Sequence, residues 1–230
     1  VIALIQARMG ASRLPNKVML GLRDRTVLEV VVGRVKKVLD FMVVTSDSKR
    51  DDVIEDLCLD RGYNYFRGNE DDVLDRYYKC ARKYLIKDIV RITSDCPLVD
   101  GGIIREVVDK YCGGFDYSSN LMPRTYPRGL DVEVVRFDVL EERWKRDTEN
   151  RQHVTLGIRT NPEKFKIGNV RNDVDYSYMR WTLDDVEDYR FLRKVYELFP
   201  DASWKDIIYY LEDHPEMVIR DHSPILEVVR

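Results

Sequence analysis

Four short β-rich runs, at 1–5, 41–45, 63–66 and 89–93, alternate with apolar stripes at helical spacing through the first half of the chain. No other feature constrains the fold as much, because strands interleaved with helices read as an α/β architecture around a sheet. Thr26-Val27-Leu28-Glu29 has the form of a capping box, and Leu28, Val31, Val32, Val35, Val38 and Leu39 then recur at the period of a helix covering that sheet. Similar stripes run through Val53, Ile54, Leu57 and Cys58, through Val73, Leu74, Tyr77, Tyr78, Ala81 and Tyr84, and through Ile103, Ile104, Val107, Val108 and Tyr111. After Gly113-Gly114 the rhythm changes. Strands are expected at 116–120, 131–137, 165–170 and 178–183, and helices at 138–145, 152–159, 186–199 and 204–211.

With 230 residues, 44% of them hydrophobic and 34% charged, the chain suffices for one substantial core, so a single domain over 1–230 is expected. A formal charge of -3 with no long basic run argues against nucleic acid as the main partner. No apolar stretch reaches the roughly 18 to 20 residues of a membrane span, and a cytoplasmic protein is expected. Cys58, Cys80, Cys96 and Cys112 contain no Cys-x-x-Cys pair, so neither a zinc knuckle nor a disulfide framework is indicated. Cys58, Cys80 and Cys112 read as small core residues on helix faces. Cys96 follows Asp95 in a loop, where a structural role outweighs a nucleophilic one.

Immediately after the first β run comes Gln6-Ala7-Arg8-Met9-Gly10-Ala11-Ser12-Arg13-Leu14-Pro15-Asn16-Lys17. Three cations at 8, 13 and 17, with Gly10 and Ser12 between them, let a polyanion meet guanidinium, ammonium, hydroxyl and backbone N–H groups together. The segment is neither a Walker loop nor a dinucleotide fingerprint. Its ordinary alternative is a solvated basic loop.

In open α/β sheets ligands bind beyond the carboxyl ends of the strands, where loops from separate strands meet. Ser94-Asp95-Cys96-Pro97 and Asp184-Asp185 each follow an expected strand and face the same edge as the basic loop. Two carboxylates brought to one cationic loop suit Mg2+, which takes one or two protein carboxylates, substrate oxygens and water. Each acid also has a plainer role as a turn or N-cap residue. Glu70-Asp71-Asp72 likewise stands where a helix begins.

These segments resemble a known family, the cytidylyltransferases that activate acidic sugars, and most closely the branch named after spore coat polysaccharide biosynthesis protein F. The carriers are the basic loop above, Phe66-Arg67-Gly68-Asn69-Glu70-Asp71-Asp72-Val73-Leu74, Arg91-Ile92-Thr93-Ser94-Asp95-Cys96-Pro97-Leu98, Arg124-Thr125-Tyr126-Pro127-Arg128-Gly129-Leu130-Asp131-Val132-Glu133, Gln152-His153-Val154-Thr155 and Arg180-Trp181-Thr182-Leu183-Asp184. The resemblance implies a three-layer, Rossmann-like nucleotide-diphospho-sugar transferase fold of the glycosyltransferase-A kind with a mainly parallel mixed sheet. It also implies a homodimer built by a segment within 115–175.

For the site, the resemblance implies that Arg8, Ser12, Arg13 and Lys17 hold the triphosphate of CTP and that Asp95 and Asp184 hold Mg2+. Ala7, Gly10, Thr93, Arg67, Gly68 and Asp71 complete the nucleotide pocket. The implied chemistry is attack of a sugar hydroxyl on the α-phosphorus with loss of pyrophosphate, in which Arg8, Lys17 and Asp95 are the catalytic candidates. No general base is assigned. His153 matches a histidine that contacts the acidic sugar in related synthetases, and Arg124, Tyr126, Asp131, Glu133 and Arg180 are candidates for the same pocket. An ordinary helix histidine and structural ion pairs are the competing roles.

Three positions depart from the branch: Gln152 stands where Glu is usual, Asn16 where Gly is usual, and Ser94 where Gly often precedes the aspartate. They leave the acceptor open. A pyrophosphorylase joining another nucleotide to a sugar 1-phosphate would open with Gly-x-Gly-Thr-Arg, which is missing. A glycosyltransferase would carry an Asp-x-Asp motif at the corresponding loop. A non-catalytic nucleotide-binding dimer would tolerate loss of one metal carboxylate, whereas both are present.

Overall fold

The computed structural model describes residues 1–222; residues 223–230, part of the span assigned to one domain, lie outside the described residues. The opening apolar run forms β1 (Ile2–Gln6), and a two-residue hairpin missed by the sequence pattern, β2 (Gly21–Leu22) with β3 (Arg25–Thr26), leads into α1 (Val27–Val35). The expected capping box is present at this helix start, with Thr26 N–H donating to Glu29 Oε2 at 2.8 Å and Glu29 N–H to Thr26 Oγ1 at 3.2 Å. There follow β4 (Phe41–Ser46), α2 (Asp52–Arg61), β5 (Tyr65–Gly68), α3 (Val73–Lys83), β6 (Asp88–Thr93), α4 (Gly101–Cys112), β7 (Tyr117–Ser119), β8 (Glu133–Arg136), α5 (Phe137–Arg146), α6 (Leu156–Arg159), β9 (Ile167–Asn169), α7 (Val186–Leu198) and α8 (Trp204–Asp213).

Seven strands make one sheet in the order β5-β4-β1-β6-β8-β7-β9. β5, β4, β1 and β6 are mutually parallel, β8 is antiparallel to β6 and β7, and β9 is parallel to β7, so the sheet is mixed and mainly parallel as expected. Side-chain alternation sorts the core into two layers. Ala3, Ile5, Val43, Val90 and Ile92 face α1, α2, α4, α7 and α8, whereas Leu4, Met42, Val44 and Ile89 face α3, α5 and α6. α1 alone buries Val27, Leu28, Val30, Val31, Val32 and Val35. At roughly 1.5–3 kcal/mol for each large aliphatic side chain, this helix is a principal weld between sheet and layer.

The segment within 115–175 contributes β7, β8 and β9 to the main sheet, so it is woven into the fold. The strand expected at 178–183 is a correction. Its alternation is real, with Met179, Trp181 and Leu183 buried, but its backbone bonds go to loops: Arg180 N–H to Ile219 O at 2.8 Å and Trp181 N–H to Arg128 O at 2.6 Å. The helix expected over 152–159 shrinks to α6, because the preceding residues close turns such as His153 N–H to Asn150 O at 2.8 Å. Cys112, expected in the core, is exposed on the last turn of α4, while Cys96 is buried. Burial, together with the Asp95 charge, pushes the Cys96 thiol well above its ordinary range, which excludes a ready nucleophile.

Candidate active site

β1 lies between β4 and β6, so the chain leaves the sheet at the point where strand order switches direction. Ala7 still bonds the sheet, its N–H reaching Val44 O at 3.1 Å, and the basic loop begins at Arg8. Two ties shape the loop. Met9 N–H donates to Asp51 Oδ1 at 2.8 Å, and Met9 O accepts from Ala11 at 2.8 Å and Asn16 at 3.3 Å. The N–H groups of Arg8, Gly10, Ser12 and Arg13 find no acceptor among the described residues, leaving a curved run of donors of the kind that cradles phosphate. A side chain at Gly10 would approach Glu70 Oε1 at 3.0 Å, because the Arg50–Glu70 ion pair (2.5 Å) leans over the loop there. Asn16 has φ 60°, the left-handed conformation that glycine or asparagine accepts, which explains the substitution for the usual glycine.

Burial of Val18 in the following 3-10 turn aims Lys17 inward. Its Nζ donates to Asp95 Oδ2 at 3.1 Å, Asp184 Oδ1 at 2.9 Å and Leu183 O at 2.7 Å. The three loops expected to converge therefore do so at one ammonium group. Burial opposes that charge, but Asp95 and Asp184 outweigh it and raise the Lys17 pKa. Burial likewise works against ionised Asp184, yet Lys17, Arg13 and Arg180 hold its carboxyl below the ordinary range. The 183 segment is fastened to the β6 loop by Leu183 N–H to Asp95 O at 2.7 Å, which keeps the two aspartates together. Neither aspartate is a helix cap. Asp100 caps α4 and Asp185 caps α7, so both carboxylates are free of the capping role considered from sequence.

Arg8 forms no ion pair with any described residue; its charge, after burial, helps lower the pKa of the fully buried Arg76. Arg13 is exposed and pairs with Asp184 at 3.1 Å, and Ser12 is exposed beside it. Thr93, level with Gln6 in the sheet, sits against Cys96 Sγ at 3.3 Å. Arg67 is committed: its guanidinium bonds Ser46 O and Ser48 O, each at 2.9 Å, and pairs with Asp52 at 2.7 Å and with Glu55. It shapes the ends of β4 and β5 and has little left for a ligand. Gly68 O accepts from Asp47 N–H at 2.8 Å, and Asp71 lies exposed in a turn closed by Asn69.

Most of the expected sugar-pocket set is engaged with partners inside the protein. Arg124 and Asp131 satisfy each other through bonds of 2.5 and 2.9 Å; although burial disfavours the Asp131 charge, Arg124 holds its pKa down at about 2. Arg180 is taken up by Asp188 at 2.8 and 2.9 Å and by Asp184 at 2.9 Å, so it positions Asp184. Tyr126 packs into the core layer of α4 and α8, its hydroxyl donating to Glu106 and its ring against Trp204. Glu133 is buried among Arg91, Tyr117 and Thr155. Of the six, only His153 is exposed. Sequence reasoning missed Asp51, Asp188 and Arg91. The last two had signals, an Asp-x-x-Asp box at 185–188 and a charge inside an otherwise apolar strand, whereas Asp51 had none.

Gly129 binds this architecture together. Its φ is 110°, and an added Cβ would come within 2.5 Å of the Trp181 carbonyl carbon. Gly129→Ala is expected to cost about 2 kcal/mol through strain and lost packing, read as a lower urea midpoint with unchanged m value. An unchanged midpoint would show that the 128–129 turn does not hold the Asp184 segment.

A basic loop at the switch point and two aspartates drawn onto its lysine, on a mainly parallel α/β sheet, define a nucleotidyltransferase. The chain belongs to the cytidylyltransferase family, whose model matches residues 2–217. It is 38% identical to an uncharacterized protein of Methanocaldococcus jannaschii, over 94% of this chain and 92% of that one. It is 30% identical to spore coat polysaccharide biosynthesis protein SpsF of Bacillus subtilis, over 94% and 95% of the two chains. Among solved structures it is similar to a cytidylyltransferase from Leptospira borgpetersenii, with TM-score 0.90 and 32% identity over 98% and 99% of the chains. Two more distant structures share the fold at 15% identity: CMP:2-keto-3-deoxy-manno-octonic acid synthetase complexed with CTP (TM-score 0.63, 86% and 98% covered), and a Mycobacterium tuberculosis protein in complex with manganese (TM-score 0.58, 84% and 98% covered).

Proposed function

We propose that this enzyme transfers CMP from CTP to a hydroxyl of an acidic sugar or a related small anionic acceptor, releasing pyrophosphate, in polysaccharide or glycoconjugate biosynthesis. The observation that carries the reading is the meeting of Asp95 and Asp184 on Lys17, beside a loop of free backbone donors. The acceptor oxygen forms a bond to the α-phosphorus, the bond to the β-phosphate oxygen breaks, and the hydroxyl proton is released.

The nucleotide site in this reading is the 8–17 loop. Its N–H groups, Arg8 and Ser12 hold the phosphates, while Arg13 and Lys17 offset the charge that builds on the departing pyrophosphate. Two carboxylates already sharing one cation fit a divalent ion, here Mg2+, and a relative of this fold is known with manganese. Among the described residues no group of three or more acidic, histidine or cysteine side chains forms a cage, which suits an ion completed by phosphate oxygens and water. Bound there, the ion would supply electrophilic stabilisation of the phosphates. Asp95 and Asp184 would hold it, and Lys17 would pass to the phosphates.

The reading extends to a cytoplasmic homodimer. No described helix is long and apolar enough to cross a membrane. β9, within the 115–175 segment, leaves one edge of the sheet without a strand partner among the described residues, a surface open to a second copy.

A thermal-shift panel with Mg2+ and CTP, UTP, dTTP, ATP or GTP tests the nucleotide. A ligand at about 100 times its Kd stabilises the folded state by about 2.7 kcal/mol, roughly 5–10 °C for a chain of this size. CTP is expected to give the largest shift. A larger shift with UTP or dTTP ends the cytidylyl assignment.

A further inference from the structure

Arg91 interrupts the apolar strand Ile89-Val90-Arg91-Ile92 on the sheet face shared with Leu4. Its Nη1 lies 2.5 Å from Glu133 Oε1, its Nη2 donates to Gln6 Oε1 at 3.3 Å, and its Nε is buried without a partner. Arg159, the last residue of α6, stands on the other side of Glu133 at 3.9 Å, beyond hydrogen-bond reach, and its Nε is also buried and unpartnered. Oε2, the Glu133 oxygen nearer Arg159, is already taken, since it accepts from the Tyr117 hydroxyl at 2.5 Å and from Thr155.

Two guanidinium groups thus share one carboxylate, and neither pairs with another acid among the described residues. Arg124 and Arg180 differ, since each has an acid satisfying it bidentately. One positive charge is left over in a half-buried place, where an unmatched charge is costly and an incoming anion is correspondingly favoured. Both side chains remain partly accessible, at 18% and 21%. The spacing also fits. Arg91 is level with Leu4, four residues before Arg8, or about 13 Å along the strand at about 3.3 Å per residue. Arg91 leans toward that end, since its Nη2 reaches Gln6, two residues along the strand from Leu4.

Resting on the cytidylyl-transfer reading, we propose that Arg91 and Arg159, with His153 at the rim, form the subsite that binds the acceptor's oxyanion, a carboxylate or a phosphoryl group. This subsite sets which acceptors are used: small molecules carrying a hydroxyl at one end and an oxyanion at the other. The anion anchors the acceptor while its hydroxyl reaches the α-phosphorus above the 8–17 loop.

His153 reports on the subsite, because partial burial and the charges of Arg91 and Arg159 lower its pKa from the ordinary 6.5. An anion between the two arginines offsets that push. The full chain has three histidines, so the His153 ring can be followed by NMR during pH titrations with a 3-deoxy-2-ulosonic acid in one arm and glucose 6-phosphate in the other. One arm is expected to raise the His153 pKa by about half a unit or more, and the effective arm identifies the anion. Arg159→Gln, which removes only the long 3.9 Å pair, is expected to abolish that response and raise acceptor KM about tenfold or more while the CTP thermal shift stays unchanged. Arg159→Lys should restore part of it. Should neither anion move His153, or should Arg159→Gln respond like the wild type, the subsite is wrong. Loss of CTP stabilisation in the wild type would instead strike the cytidylyl reading itself.

Discussion

Lys17→Met is expected to slow pyrophosphate release by about 100- to 1,000-fold and to tighten Mn2+ binding in the absence of nucleotide by about tenfold or more. The first effect follows from removing a charge aimed at the developing phosphate charge, a loss of the size seen when one such donor is deleted. The second follows from geometry. Lys17 Nζ stands 2.9 Å from Asp184 and 3.1 Å from Asp95, so a divalent ion binding alone must displace it from both carboxylates and from Leu183 O. Methionine keeps the unbranched stem but not the competing ammonium. A tenfold change corresponds to about 1.4 kcal/mol, modest beside the interactions released. With CTP present, the phosphates give Lys17 somewhere else to go, and the difference in metal affinity between wild type and variant should narrow. Electron paramagnetic resonance of free Mn2+ measures this directly. Equal Mn2+ affinity in both proteins without nucleotide would mean that the two aspartates do not share the ion.

This expectation shows how far sequence carries and where it stops. Apolar runs place β1, β4 and β6, the capping box places α1, and the rule that ligands gather at carboxyl ends of strands brings Asp95, Asp184 and Lys17 to one point from sequence alone. All of these are local or topological signals. What it could not supply was partner choice among charges. Arg124 and Arg180 looked available for an acceptor carboxylate, but Asp131 and Asp188 claim them, and those pairings depend on turns at 129 and 185 whose geometry no spacing reveals. Conversely, Arg91 and Arg159 gain interest only because both turn to the single carboxylate of Glu133. The 178–183 segment failed differently. Its period of two was correct, but the same alternation serves a strand within a sheet and an extended chain held by loops.

Asp51 shows the same limit in a residue with no catalytic look at all. It is 1% exposed, and its carboxylate accepts from Met9 N–H (2.8 Å), Thr45 Oγ1 (3.1 Å), Ser46 N–H (3.0 Å) and Ser46 Oγ (2.5 Å). Three of these donors belong to the end of β4 and one to the phosphate loop, so a single side chain sets the distance between them. Asp51→Ala leaves four donors without their acceptor. Each buried unsatisfied group costs about 1–3 kcal/mol, and water entering the gap recovers part, so a loss of about 4 kcal/mol is expected in urea unfolding. Function should fall alongside stability in the molecules that remain folded. With Met9 released, the donors of 8–13 no longer hold one curve, and misplacement by about 1 Å is enough to cost on the order of 100-fold in rate. Both effects are to be measured at low temperature, where the variant is still folded, with CTP titrated by calorimetry. A variant that loses stability but keeps wild-type CTP affinity and rate would show that Asp51 props up β4 alone, and that the loop keeps its shape through the Met9 carbonyl contacts.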